Sequence, residues 1–464
     1  MRLSVWGANM VCGGTTGASQ GQMTSSYNSK TARITALFFG EEAPANVRLN
    51  IRWLIICGLV FLGLSAVALA AADPAQALVE EKIFENGEVV VKLNGGTTIQ
   101  EINADYGSAT LEKLLGSAGI YLLKLPDTAD TQAVATRMAS DPRLIYAEPN
   151  FLTESPEGDG RFRAFGLTEA APNYDPYAAS SLGLSCAREI SRGAGATIAV
   201  LDTGAQLDHP KLQYSFQGVA RYDFVDDDAD PSERLVGLDS DGNGAVDELS
   251  GHGTHVAGIV EAVAPGAGIM PLRVLDTEGY GNVFVIAEAI SFAERNGADV
   301  INMSFGAAGR SDLLQEVIHK ASENGVVVVA AAGNDPTTTA HYPAAGEDVI
   351  ATTSVDRFGK KSAFASYGPW VDVAAPGEGI KSAFPTSTEA YMSGTSMAAP
   401  FVAGQAALIH AVNPLLTSEG IRDVISRTAR PLNDGNPNYA GLLGAGSADI
   451  GASLRQLRPG TDCG

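Results

Sequence analysis

The chain has 464 residues, 45% of them hydrophobic, which is enough material for one large domain and a smaller one. Its 31 basic residues stand against 53 acidic ones, and this net charge of -22 argues against nucleic acid or an anionic membrane surface as a main partner. Four cysteines are too few for a disulfide scaffold, and only Cys186 and Cys463 fall in the region assigned below to the mature protein, where a pair and two separate thiols both fit.

Residues 1–46 are a polar stretch rich in Gly, Ser and Thr. From 47 to 72, Arg48 and Arg52 precede an apolar run from Trp53 to Ala70 that ends in small residues, the layout of an export signal cleaved near Ala68 to Ala72. A membrane anchor is the alternative by length; the Ala-rich end and the missing basic flank after it favour cleavage. An export signal normally comes first, so 1–46 reads as a mis-assigned or disordered extension, with Val47 as the expected start.

From Ile83 to Leu152 short strands alternate with short helices. "GEVVVKL", "GIYLLKL" and "RLIYAEPNF" read as strands, "TIQEINADYG" and "DTQAVATRMASDP" as helices, giving a small α+β layer. Residues 153–177 are rich in Gly, Pro, Glu and Arg without periodicity and read as a linker open to cleavage.

Over 178–458 the pattern changes to buried strands and amphipathic helices. "ATIAVLD", "IMPLRVLD", "DVINMS", "VVVVAAAG" and "DVIATTSV" are short and rich in β-branched residues, as parallel strands covered on both faces tend to be. In "SDLLQEVIHKASENG", Ser311 stands at a cap position, Leu313, Leu314, Val317, Ile318 and Ala321 share a face, and Gly325 marks the stop. The fold class is α/β with a central parallel sheet, whose strand ends are where reactive residues gather.

Three places carry chemistry. "AVLDTG" ends a strand at Asp202, for which a buried structural role is the plain alternative. "SGHGTHVAGIV" sets His252 between glycines that allow close backbone approach, while His255 reads as a packed helical histidine. "YMSGTSMAAPFVAG" puts Ser396 at a helix start, as a capping residue or as a nucleophile.

With "DTG", "HGTH", "AAAGND" and "GTSMAAP" in this order, the segment from Asp175 to Leu454 resembles the subtilisin-like serine proteases, the subtilases. The resemblance implies a three-layer fold with a mainly parallel sheet. It implies Ser396 as nucleophile, His252 as base and Asp202 as its orienting acid, with Asn334 and the Ser396 N–H as oxyanion donors. Residues 83–152 resemble the family's ferredoxin-like inhibitory propeptide. Gly279, Tyr280 and Gly281, with Ser304, Phe305 and Gly306, resemble the segments that hold an extended peptide as an added strand. His341 falls at the wall of the first specificity pocket, or on a surface loop.

The acidic stretch holds Asp226, Asp227, Asp228 and Asp230, then Asp239, Asp241, Asn243 and Asp247. The second group has the alternate spacing of a calcium loop with Gly244 at its turn, although Ser250 stands where a bidentate Glu would be. One structural calcium is expected there, against a solvated acidic loop. The longer loop that carries a tight calcium site in many subtilases is missing between "HGTHVAGIV" and "APGAGIMPLRVL". Expected overall is a secreted, monomeric endopeptidase acting on polypeptides, needing no cofactor for catalysis and inhibited by its own propeptide. A narrow processing protease is the second reading, and a periplasmic or membrane-anchored enzyme the alternative location.

Overall fold

A computed structural model of the chain describes residues 83–156, 165–167, 176–237, 239, 244, 246–307 and 309–461, all within the compact unit Glu80–Gly464. The expected extension and export signal lie outside the described residues.

The first domain runs β1 (Phe84–Leu93), α1 (Ile99–Tyr106), β2 (Ala109–Lys113), β3 (Ile120–Lys124), α2 (Thr131–Ala139) and β4 (Leu144–Glu154). Its antiparallel sheet has the order β2-β3-β1-β4. Helix α1 starts because Thr98 and Glu101 close a capping box, with Glu101 Oε2 accepting from the Thr98 N–H at 2.8 Å. Asp130 caps α2 through the Ala133 N–H at 2.9 Å.

Strand β1 is apolar at consecutive positions because both faces are covered. Val89 and Val91 join Ile99, Ile102, Leu123 and Met138 in the domain's own core, while Val90, with Ile120 and Leu122, packs into a core shared with the second domain. Strand β2 escaped the sequence pattern: all five of its side chains are exposed, so it shows no alternation. Strand β4 continues to Glu154, two residues into the expected linker, because it finds a pairing partner in the second domain.

The second domain comprises β5 (Phe165–Leu167), α3 (Pro176–Ser181), α4 (Leu184–Ile190), β6 (Thr197–Asp202), β7 (Tyr222–Asp223), α5 (His252–Val263), β8 (Gly268–Arg273) and β9 (Tyr280–Asn282). It continues with α6 (Val283–Arg295), β10 (Val300–Met303), α7 (Asp312–Glu323), β11 (Val327–Ala331), β12 (Val349–Val355), β13 (Val373–Pro376), β14 (Ile380–Phe384) and β15 (Thr388–Met392). Helices α8 (Thr395–Val412), α9 (Ser418–Thr428) and α10 (Ile450–Leu457) complete it. Seven parallel strands form the central sheet in the order β13-β12-β11-β10-β6-β8-β7.

Helices flank this sheet on both faces. Ile198 and Val200 of β6 point into the core with α5 and α8, whereas Ala199 and Leu201 point to α6 and α7. Helix α8 is long and apolar enough to cross a membrane by composition alone, yet 83% of it is buried in this core. Ser311 caps α7 through the Leu314 N–H at 3.1 Å, and the five expected residues are buried.

The first domain also finishes helix starts in the second. Glu148 accepts from Ser311 Oγ at 2.6 Å, the Asp312 N–H at 2.8 Å and the Leu313 N–H at 3.2 Å, all at the start of α7. Asn150 Oδ1 accepts from the Phe284 N–H at 3.2 Å at the start of α6. These amides have no partner within their own helices, so a neighbour that supplies acceptors is held by them. Glu148→Ala is expected to weaken association of the first domain by about 0.5–2 kcal/mol, the usual worth of a lost cap. Release of that domain at lower urea, with an unchanged unfolding midpoint for the second domain, is the measurement.

Candidate active site

Asp202 ends β6 and His252 begins α5, and the two meet where the carboxyl end of the strand faces the helix start. His252 Nδ1 lies 2.7 Å from Asp202 Oδ1, and neither residue has exposed surface. Asp202 Oδ1 also accepts from the Thr203 N–H at 2.8 Å. Gly253 makes the approach possible, since a Cβ there would lie 2.1 Å from the Gly204 carbonyl oxygen and 3.1 Å from Asp202 Cβ. Gly251 has a left-handed φ of 96°, and a Cβ there would sit 2.5 Å from the Phe384 ring.

His255 packs as its helical position suggests. Its Nε2 lies 3.0 Å from the Ile380 carbonyl oxygen and 3.2 Å from that of Ala390, pinning the β14–β15 hairpin, and burial pushes its pKa down to about 3. Glu233, absent from the sequence reading, accepts from Thr203 Oγ1 at 2.9 Å, the Gly251 N–H at 2.8 Å and the Thr254 N–H at 3.2 Å. It comes from a loop without periodicity, so its only signal was its charge.

Ser396 is not the cap of α8. The helix starts at Thr395, and the residue before it, Gly394, has no side chain to cap it. Ser396 Oγ donates to the Ser304 carbonyl oxygen at 3.1 Å, and Ser304 Oγ donates to the Ser396 carbonyl oxygen at 3.0 Å. Asn334 follows β11, and its Oδ1 accepts from both the N–H (2.9 Å) and the Oγ1 (3.0 Å) of Thr395. With its oxygen fixed in this way, its amide nitrogen can only present donors to the other side. There Nδ2 donates to the Pro156 carbonyl oxygen at 3.3 Å.

Pro156 belongs to the chain that leaves β4. Leu152, Thr153 and Glu154 pair antiparallel with Asn282, Gly281 and Tyr280 of β9. The Ser155 N–H continues this edge by donating to the Gly279 carbonyl oxygen at 3.0 Å, and on the other side Glu154 and Gly306 exchange backbone bonds of 3.0 and 2.9 Å. The expected peptide-holding segments thus flank a strand of the protein itself. Phe305 differs from the expectation in turning its side chain into the core, with no exposed surface. His341 lies against Gly306 and Gly333: a Cβ at Gly306 would be 2.6 Å from its Cδ2, and one at Gly333 would be 3.1 Å from it. Burial pushes its pKa down to about 4.

The profile of the Subtilase family matches residues 193–446. A thermophilic serine proteinase of Bacillus sp. (strain AK1) is 34% identical over 375 residues, covering 75% of this chain and 84% of that one. The chain belongs to the subtilase family. It is a subtilisin-like serine endopeptidase with a prodomain, since residues 70–150 match the profile of the fervidolysin N-terminal prodomain. Thermitase of Thermoactinomyces vulgaris is 42% identical over 251 residues, 52% of this subtilase and 83% of thermitase. The crystal structure of fervidolysin from Fervidobacterium pennivorans, a keratinolytic enzyme, matches with a TM-score of 0.67 at 26% identity; it covers 81% of this chain, which spans 62% of that longer protein.

The acidic loops of this subtilase carry partners of their own. Arg273 Nη1 reaches Asp223 at 2.8 Å and Asp226 at 2.6 Å, and Arg234 reaches Asp226 at 2.7 Å and Asp228 at 3.3 Å. Asp247 accepts from the amides of Val236 (3.0 Å) and Gly237 (2.8 Å), and Asp239 from that of Gly244 (3.0 Å). Asp241 and Asn243 lie outside the described residues. Among the described residues no group of three or more His, Cys, Asp or Glu is placed to hold a metal. Cys186 is disulfide-bonded, and Cys463 lies outside the described residues.

If the fixed amide of Asn334 serves as an oxyanion donor, Asn334→Ala lowers kcat on a peptide substrate by about 100- to 1000-fold, the usual cost of one such donor, with KM little changed. Steady-state kinetics on the folded variant checks it.

Proposed function

We propose that this subtilase is a secreted endopeptidase made as a self-processing zymogen, with Ser396 as nucleophile, His252 as general base and Asp202 as the acid that orients it. The observation that carries the reading is the strand from Leu152 to Pro156, paired on both edges and ending with its carbonyl oxygen at the Asn334 amide. A polypeptide substrate would lie the same way, since backbone pairing is indifferent to most side chains.

In this reading Ser396 Oγ attacks the carbonyl carbon as its proton passes to His252 Nε2. The oxyanion forms against Asn334 Nδ2 and the Ser396 N–H at the start of α8. Asp202 holds the imidazole by its Nδ1–H and stabilises the cation. Collapse breaks the C–N bond, His252 returns the proton to the leaving amine, and water repeats the sequence to release the acid. His341 stands against Gly306 and Gly333 at the wall expected for the first pocket, so a compact residue before the cut bond fits best.

Export is supported by the layout of residues 47–72, and self-inhibition by the prodomain lying across the site. Purified full-length wild type is expected to cut itself between Thr153 and Tyr177, first at the Pro156–Glu157 bond, at a rate independent of its concentration, because the bond is held in place by its own domain. Ser396→Ala, His252→Ala and Asp202→Asn precursors should stay intact while remaining folded. N-terminal sequencing and circular dichroism test this, and efficient cutting of the Ser396→Ala chain alone would overturn the triad assignment.

A structural calcium in the loop from Asp239 to Asp247 is a further part of the proposal. The Gly244 N–H bond to Asp239 closes a turn of the kind that wraps a cation, whereas Asp247 already uses both oxygens on backbone amides. If the loop binds, micromolar to millimolar calcium raises the melting temperature by mass action. Asp239→Asn combined with Asp241→Asn should erase that rise, and the absence of any calcium effect on wild type would leave a solvated loop.

A further inference from the structure

A helix start leaves its first amides without partners inside the helix, and the preceding residue usually supplies a side-chain oxygen for one of them. Helix α5 cannot use this device. Its preceding residue is Gly251, and the 2.5 Å approach of Phe384 leaves no room for a side chain there. The amides are satisfied from elsewhere in the chain instead. Thr203 Oγ1 accepts from the Gly253 N–H at 3.0 Å, and Glu233 accepts from the N–H groups of Thr254 and Gly251 at 3.2 and 2.8 Å.

Thr203 also holds Asp202, and Glu233 reaches the acid through Thr203. The Thr203 N–H donates to Asp202 Oδ1, and Thr203 Oγ1 donates to Glu233 Oε1. The carboxylate of Glu233 is thus bonded on one side to the residue that follows Asp202 and on the other to the residues that bracket His252. We propose that Glu233 is a positioning residue for the Asp202–His252 pair, tying the strand end that carries the acid to the helix start that carries the base.

The helix dipole and the three donors favour its charged form. Burial and the nearby Asp202 carboxylate oppose it, and together these bring its pKa up to about 7. The charged groups around it are Asp202 on β6, His252 on α5 and Arg234 beside it in its own loop, and Arg234 is engaged by Asp226 and Asp228. A negative charge here favours the protonated form of His252, so its removal lets the base lose its proton at lower pH.

This inference rests on the triad reading, and the test separates the two. The first-order rate of self-cleavage of the full chain is followed against pH for wild type, Glu233→Gln, Glu233→Ala and Thr203→Val. Glu233→Ala is expected to slow cleavage by about 10- to 100-fold, the scale set by misplacing a catalytic group by about an ångström. Gln keeps Oε1, which bonds Thr203 and Thr254, and loses only the bond to Gly251, so it should restore part of the rate and move the acid limb of the profile to lower pH. Thr203→Val, which keeps the carboxylate but cuts its link to the strand end, should also slow cleavage. A folded Glu233→Gln chain with the wild-type rate and the wild-type acid limb overturns the inference even if its melting temperature falls. A wild-type chain that never cuts itself overturns the triad reading instead.

Discussion

The hydrogen bond of 2.7 Å between His252 and Asp202 joins the end of one backbone element to the start of another. A buried bond of this length tolerates little drift, and both of its residues have no exposed surface that could let water substitute. The surrounding structure can be understood as the set of constraints that keep the end of β6 and the start of α5 in register. The parallel sheet fixes the strand end, because β6 is paired on both sides, by β10 and β8. Gly253 lets the helix backbone come up against Gly204, and the absence of a side chain at Gly251 then makes borrowed acceptors from Thr203 and Glu233 necessary. Each accommodation creates the need for the next.

The opposite wall is built by the same logic with different parts. Thr395 occupies both hydrogen-bonding positions on the Asn334 oxygen and also accepts from the Gly333 N–H at 3.0 Å, so the amide donor is aimed before any carbonyl arrives. A donor fixed in advance does not have to reorganise when charge develops in front of it, which is where such a group is worth most. The mutual bonds between Ser304 and Ser396 then link the wall that holds the extended strand to the helix that carries the serine. The backbone that binds the chain and the groups that face its carbonyl are one connected body.

Much of this was legible in the sequence because it follows from short-range rules. The five buried strands were visible as β-branched runs, and α7 could be read residue by residue from its cap and apolar face. The glycines around His252 signalled close approach, and the structure has it at Gly253. What the sequence hid depends on partners distant in the chain. Strand β2 has no buried side chain to mark it, and β4 runs past its apparent end only because β9 pairs with it. Glu233 and Glu148 look like ordinary surface acids, since the residues they reach just before the two helices, Gly251 and Ser311, lie 18 and 163 residues further on. Nothing in the sequence likewise places Arg273 and Arg234 among the carboxylates of the first acidic cluster, where the structure has them.

The prodomain makes two kinds of contact, and they answer to different parts of the chain. Its tail, Leu152 to Pro156, is held by backbone bonds inside the cleft. Its sheet is held by Val90, Ile120 and Leu122 against the helical face of α6 and α7, and by the capping oxygens of Glu148 and Asn150. On the prodomain side none of these contacts comes from a residue after Pro156, so a cut beyond that point would leave every one of them in place. Cleavage alone therefore does not empty the cleft. Release would be governed by the free energy of the apolar face and the helix caps, which lie away from the Pro156 end of the strand. A prodomain built this way can remain as an inhibitor after it has ceased to be part of the same chain, because the features that inhibit and the bond that connects are physically separate.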